Sequence, residues 1–229
     1  MGEAAAEELA ALSKGLIFFD VDTQRDFCWK NLGKDVYNPG AEKLAEKWGK
    51  LLGAARKARL RIFGDVDSHT EKDPELKRNG GRFDDHCFPL THGWRHVPET
   101  EPQSALYVPN KALNKSEMAS ILMHDGEIYF EKQAHDVWDN QNTEAVLKAK
   151  GVKAAVVYGV ATDYCVKLAV LGLQRAGIQA YVVTDAISAI NIKPDDGKNA
   201  LEEMKKAGAK FVKMEEVIRA LNQPKLKSR

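Results

Sequence analysis

The chain is poor in cysteine, with three in 229 residues, at positions 28, 87 and 165. That set is odd, sparse and without the paired spacings of a disulfide framework, so reduced thiols are expected. An excess of charge is lacking too. Lys and Arg total 34 against 33 Asp and Glu, which leaves no broad basic field for nucleic acid or an anionic membrane and points to a small molecule as partner. Long apolar runs are missing as well. The best, Ala154 to Ala161, has the length of a buried strand and falls far short of the roughly 20 residues a membrane-spanning helix needs. The first fourteen residues, MGEAAAEELAALSK, carry three Glu and no basic cluster before an apolar run, which does not read as a secretory signal. Ala6 breaks the myristoylation pattern. A soluble, cytoplasmic protein is the expectation. There is no internal repeat, and the tail after Pro224, KLKSR, reads as a solvated end.

What is present is 44% apolar residues, enough for one substantial α/β domain over residues 1–229. Short β-branched or aromatic runs alternate with helical patterns, the signature of βαβ units and a parallel sheet. Six strands are predicted: Gly15 to Val21, Arg59 to Phe63, Glu127 to Phe130, Ala154 to Tyr158, Ile178 to Val183 and Ala209 to Val212. Leu44, Trp48, Leu51, Leu52 and Ala55 form a helical stripe over Ala41 to Ala58. Cys165 to Ala176 reads likewise and stops at Gly177, a natural C-terminal cap. Between strands two and three lies an insertion of about residues 65–125, rich in His, Pro, Gly and charge, too long for an ordinary connection.

In open α/β sheets ligands bind beyond the carboxyl ends of the strands, and three such ends carry chemistry. The fourth strand runs into Gly159-Val-Ala-Thr-Asp-Tyr-Cys165. Thr162 or Asp163 is expected to cap the following helix, placing Cys165 in a first turn that favours a thiolate. A free cysteine is more often a small buried hydrophobe, and position after a strand weighs against that here. The first strand ends in Asp20-Val-Asp22, two carboxylates expected on different sides so that one faces the site. A carboxylate beside a thiol can take its proton and return it to a leaving amine. The third strand ends in Lys132, whose ammonium could hold both groups ionised.

Gly159-Val-Ala-Thr-Asp-Tyr-Cys165-Val-Lys, with Thr184-Asp185-Ala and Asn191-Ile-Lys-Pro downstream and the opening Val-Asp22-Thr-Gln-Arg-Asp-Phe, resembles the isochorismatase-like cysteine hydrolases, nearest the nicotinamidases, over nearly the whole chain. The resemblance implies a three-layer α/β/α fold with a central, mostly parallel six-stranded sheet. It implies Cys165 as nucleophile, Asp22 as general acid/base and Lys132 as third catalytic member, with Asp20 non-catalytic. A cis peptide between Val160 and Ala161 is implied too, the amides of Ala161 and Cys165 forming an oxyanion hole. The reaction implied is hydrolysis of nicotinamide to nicotinate and ammonia, a step of NAD salvage, and self-association is common among such proteins.

The insertion holds Asp67-Ser-His69, Asp73-Pro-Glu75 and Asp85-His86-Cys87, a mixture of carboxylate and imidazole suited to Zn²⁺, Mn²⁺ or Fe²⁺. The resemblance selects Asp67, His69, Glu75 and His86 as ligands of one divalent ion, Zn²⁺ first. Asp84 and Asp85 stand where the family has paired prolines, and residues 77–81 lengthen the gap before His86. His92 and His96, four apart, are rival ligands on a helical turn, and Cys87 is a soft competitor. Phe27, Phe83 and Trp138 are chosen by the same similarity as aromatic walls for a flat ring, although ordinary core packing is at least as common. His135 would lie near Lys132.

Two rivals remain. Amidases of the same superfamily cleave N-carbamoyl compounds or maleamate, and Asp67 with His69 is what favours the nicotinamide reading over them. More distantly, Phe18-Phe-Asp20-Val-Asp22 resembles the opening of haloacid-dehalogenase-type phosphatases, with Asp20 as nucleophile and Lys193-Pro-Asp-Asp196 as distal acidic pair. Gln24 departs from that pattern. A dinucleotide-binding loop is excluded because no strand is followed by G-x-G-x-x-G.

Overall fold

The computed structural model describes residues 2–11 and 15–222; the tail after Pro224 lies outside them. Helix α1 (Gly2–Ala11) precedes β1 (Leu16–Val21), and a single helical turn, α2 (Arg25–Cys28), comes after it. Then come α3 (Ala45–Lys57), β2 (Arg61–Asp67), β3 (Leu106–Val108), α4 (Lys115–Met123), β4 (Ile128–Lys132), α5 (Thr143–Ala149) and β5 (Ala154–Val160). The chain continues through α6 (Lys167–Arg175), β6 (Gln179–Ser188), α7 (Asp196–Lys206), β7 (Lys210–Val212) and α8 (Met214–Asn222). Among the described residues no helix is long and apolar enough to cross a membrane.

The strands form one parallel sheet in the order β3-β4-β2-β1-β5-β6-β7. It has seven strands where six are expected. The extra one, Leu106–Val108, is three residues long and lies inside the insertion, too short for an alternation to be visible. Alternate side chains of each strand feed opposite layers. Phe18, Tyr129, Tyr158 and Tyr181 pack under Trp48, Leu51, Leu52 and Ala55 of α3 with Val217 of α8. Phe19, Phe63, Phe130 and Val157 pack under Val146 and Leu147 of α5 and Ala169, Val170 and Leu173 of α6.

Four strands reach further than predicted at the carboxyl end of the sheet, β4 to Lys132, β6 to Ser188, and β2 and β5. β2 runs on through Gly64, Asp65 and Asp67, residue types that disfavour strands. Gly64 is needed there, since a Cβ would come within 2.5 Å of the Asp20 carbonyl and 2.7 Å of the Tyr129 ring. β5 runs on to Val160. Chain order reverses between β1 and β5, so the crevice at their carboxyl ends is the switch point at which such sheets bind ligands.

Candidate active site

Gly159 shapes the floor of that crevice. Its φ of 123° suits glycine, and a Cβ would stand 2.0 Å from the Val21 carbonyl oxygen. The next peptide, Val160–Ala161, is cis. A wide turn over Thr162–Val166 comes next, in which the Ala161 carbonyl accepts from the amides of Tyr164 at 3.0 Å and Val166 at 3.1 Å. Neither Thr162 nor Asp163 caps a helix, because α6 starts only at Lys167, after this turn. Asp163 instead turns its carboxylate to the amides of Ile190, at 3.0 Å, and Asn191, at 2.8 Å.

Strand periodicity alone would put Asp20 and Asp22 on one face. They separate because Asp22, one residue past β1, has a φ of 48°. Asp20 faces the α3 layer and accepts from Thr23 Oγ1 at 3.0 Å. Asp22 turns into the crevice, where its Oδ2 lies 2.8 Å from Lys132 Nζ. The same ammonium stands 3.7 Å from Cys165 Sγ and donates to Asp67 Oδ1. The fully buried Asp65 joins them, with no hydrogen-bond partner for either oxygen among the described residues. The sequence does not single Asp65 out, and the only trace of it is the Asp-Val-Asp alternation ending β2.

Four acidic groups therefore share one cation out of contact with water. Burial works to lower the Lys132 ammonium, yet Asp22 and Asp67 outweigh it and hold it well above its usual range. Burial pushes Cys165 well up despite Lys132, so the sulfur rests as a thiol. Asp22 is raised by burial, with Lys132 pulling against it, which makes it a better proton acceptor than a solvated carboxylate. Asp65 is raised further, by burial and by the charge of Asp22. Burial acts to raise Asp67, but Lys132, His69 and His86 keep it well below its usual range.

Beside this group, one ligand atom from each of Asp67, His69, Glu75 and His86 lies within 4.8 Å of the others. His69 Nε2 is 3.6 Å from Asp67 Oδ2 and 3.1 Å from Glu75 Oε1, and His86 Nε2 is 3.8 Å and 3.5 Å from the same two oxygens. A tetrahedral ion with bonds of roughly 2.0–2.1 Å has ligand edges of roughly 3.3–3.4 Å. His69 Nε2 is buried and forms no hydrogen bond. Each imidazole uses its other nitrogen outward, His69 Nδ1 to Asp73 Oδ2 at 3.0 Å and His86 Nδ1 to the Asp84 carbonyl at 2.8 Å, which fixes ring orientation as outer partners of metal ligands do. Burial works to lower His69, but Asp67 and Glu75 raise it to about 10. The same opposition brings His86 to about 9. The centre of the group favours positive charge, and its residues fit a divalent cation.

Both clusters open into one cavity. Asp22, Cys165, Asp67, Glu75 and His86 form its polar part, and Phe27, Phe83, Tyr164, Ile190 and Ile192 its apolar walls. Trp138 is not among them. It sits in a turn capped by Asp136, donates to the Ala169 carbonyl at 3.2 Å, and fills the space where a Gly172 side chain would be. Tyr164 takes part in the wall instead, with the His135 ring 5.2 Å from it.

His92 and His96 do not form a ligand pair, because residues 92–95 turn and bend beside residues 23–26 rather than forming a helix. His92 rests on Trp29, and His96 is buried beside Thr23 and Tyr129. Cys87 is also buried, away from the ligand group, with its thiol pushed up by burial. Asp20 is fully buried and does not line the cavity at Cys165, which speaks against it as a nucleophile, and Asp196 serves the start of α7 by accepting from the Lys193 amide at 2.8 Å.

The profile of the isochorismatase domain matches residues 115–216. A nicotinamidase of Escherichia coli (strain K12) is 31% identical over 206 residues, 82% of this chain and 90% of that one. The chain belongs to the isochorismatase family. Among solved structures similar to this hydrolase, the pyrazinamidase of Pyrococcus horikoshii in complex with zinc is 27% identical, with a TM-score of 0.68 over 87% of this chain and 99% of that one. An isochorismatase family protein from Desulfovibrio vulgaris subsp. vulgaris str. Hildenborough shares the fold, with a TM-score of 0.71 at 20% identity over 91% and 99% of the two chains. Of the cavity wall, this family member's Ile192 belongs to the Asn191-Ile-Lys-Pro motif and Ile190 directly precedes it, while Val36 carries no sequence signal.

Proposed function

We propose that this isochorismatase-family hydrolase is a nicotinamidase, converting nicotinamide to nicotinate and ammonia through a thioester on Cys165. The reading rests on one geometry: Lys132 Nζ stands between Asp22 and Cys165 and also holds Asp67, a member of the adjoining ligand group. A flat ring fits between Phe27, Phe83 and Tyr164 with its carboxamide over Cys165, so that binding fixes the angle of attack. Asp67, His69, Glu75 and His86 would hold a divalent cation, Zn²⁺ first and Mn²⁺ or Fe²⁺ next. When bound, that ion supplies a Lewis-acidic contact for the ring nitrogen.

Asp22 takes the thiol proton as sulfur attacks the carbonyl carbon, and Lys132 stabilises both charges during the transfer. The developing oxyanion is assigned to the backbone amides of Ala161 and Cys165, a type of contact whose loss costs roughly 10²–10³ in rate. Asp22 then gives its proton to the leaving nitrogen, and ammonia departs. The same carboxylate draws a proton from water as it attacks the thioester, releasing the acid and restoring the thiol.

The test is ammonia release from nicotinamide, pyrazinamide, an N-carbamoyl amino acid, maleamate and aliphatic amides, with and without chelator. Nicotinamide should lead the panel. Cys165→Ala should lose at least roughly 10⁴-fold in kcat, and wild-type turnover in that variant would sink the proposal. Asp67→Ala and His69→Ala should lose bound metal, read by elemental analysis.

A further inference from the structure

Asp163 is the acidic side chain in the nucleophile turn, and the mechanism does not use it. It is 8% exposed, and no Lys or Arg pairs with it among the described residues. Its two oxygens accept separately from the amides of Ile190, at 3.0 Å, and Asn191, at 2.8 Å. The two bonds join residues from different βα junctions. Asn191 has a φ of 55°, and its Oδ1 accepts from Gly197 at 2.8 Å.

The other side of this segment is braced as well. Asn38 Nδ2 donates to the Ser188 carbonyl at 2.9 Å, and Gly40 comes so close that a Cβ would stand 2.0 Å from Ser188 Oγ. What the two braces hold out is apolar. Ile190 and Ile192 line the cavity mouth while remaining 36% and 52% exposed, a cost in water that a ring-bearing substrate would relieve.

We propose that Asp163 is a positioning residue for substrate specificity: it ties Ile190–Ile192 to the nucleophile turn, so that these side chains form an apolar rim over the ring of an uncharged aromatic amide bound at Cys165. The tie also fixes the distance from rim to sulfur. A ring that fits under the rim is thereby delivered with its carbonyl at the nucleophile, and an amide without a ring gains nothing from it. The proposal rests on the amide-hydrolase reading of this site for its substrate class.

The experiment compares Asp163→Ala and Asp163→Asn with wild type in two ways. Hydrogen exchange reads the tie without substrate: the amides of Ile190 and Asn191 should exchange at least about tenfold faster in Asp163→Ala, with the sheet unchanged. Kinetics read its consequence: KM for the aromatic amide should rise about tenfold while kcat stays within about twofold. Asp163→Asn keeps one accepting oxygen and should fall between the two. It carries the test if the alanine variant does not fold. Unchanged exchange overturns the proposal, as does faster exchange with unchanged KM. A fall in kcat at constant KM also overturns it, because the effect would then lie at Cys165. If wild type releases no ammonia from nicotinamide, the nicotinamidase reading fails. Exchange still tests the tie, and KM is then taken on whichever panel amide is cleaved.

Discussion

Asp20 and Asp22 leave β1 two residues apart, at 0% and 1% exposure, and end in opposite chemical situations. Asp20 points under α3 among neutral partners: Thr23, bonded in turn to Thr100, and His96, with the Tyr158 hydroxyl beside it. Burial raises it well above the usual range, and it rests as an acid. Burial acts on Asp22 in the same direction, but Lys132 at 2.8 Å opposes it. Loss of water alone neutralises a carboxyl group, and a fixed ammonium is what keeps one available for proton transfer. An acid among neutral partners and one held by an ammonium are thereby set two residues apart at the end of β1.

The widest break between the two should come from amide substitution. Asp22→Asn should lower kcat by roughly 10²–10⁴, whereas Asp20→Asn, replacing one neutral group by another of the same shape, should leave kcat within about twofold. Steady-state ammonia release checks both, and equal losses would erase the distinction. Next in size is Lys132→Met, which leaves Asp22 and Asp65 without their cation and should cost about 3–5 kcal/mol. In that variant the carboxyl groups hold protons more tightly folded than unfolded. Its stability should therefore fall as pH rises above about 4, measured by denaturant midpoints across pH.

The smallest effect sharpens the Asp20 side. Burial, followed by the charge of Arg25, drives His96 down to about 3 from 6.5, so between those values the unfolded chain holds a proton there that the folded chain does not. Asp20 does the reverse above 3.8. Above about pH 4 the two oppose each other. Asp20→Asn should expose the His96 contribution, with stability rising with pH by up to about 1.4 kcal/mol per unit. His96→Gln should expose that of Asp20, with stability falling as pH rises above 3.8. Two slopes of the same sign would contradict a protonated Asp20 beside a neutral His96.

The sheet was legible because apolar, β-branched runs mark its central strands, and Cys165 stands out as a candidate because Gly159 to Cys165 is a distinctive run after one of them. Leu106–Val108 was not, being too short to show a period, nor was the end of β2, where glycine and aspartates mask a strand that only its neighbours stabilise. The ligand group was readable as residue types, since Asp67, His69, Glu75 and His86 are close in sequence. Trp138 and Asp163 misled for a shared reason. Each sits in a tight turn, where one dihedral decides which way the side chain leaves, and spacing does not encode that angle.

Gly159 carries a consequence for changing what the cavity accepts. Where β5 crosses the Val21 carbonyl there is space for a hydrogen atom and nothing larger, so the seam between β1 and β5 beneath the cavity is main chain against main chain. A side chain introduced at 159 would part the strands that carry Asp22 and Cys165. New substrates must be accommodated from above, by remodelling the loops that carry Phe83, Arg82, Ile190 and Ile192, and libraries aimed at altered selectivity belong there.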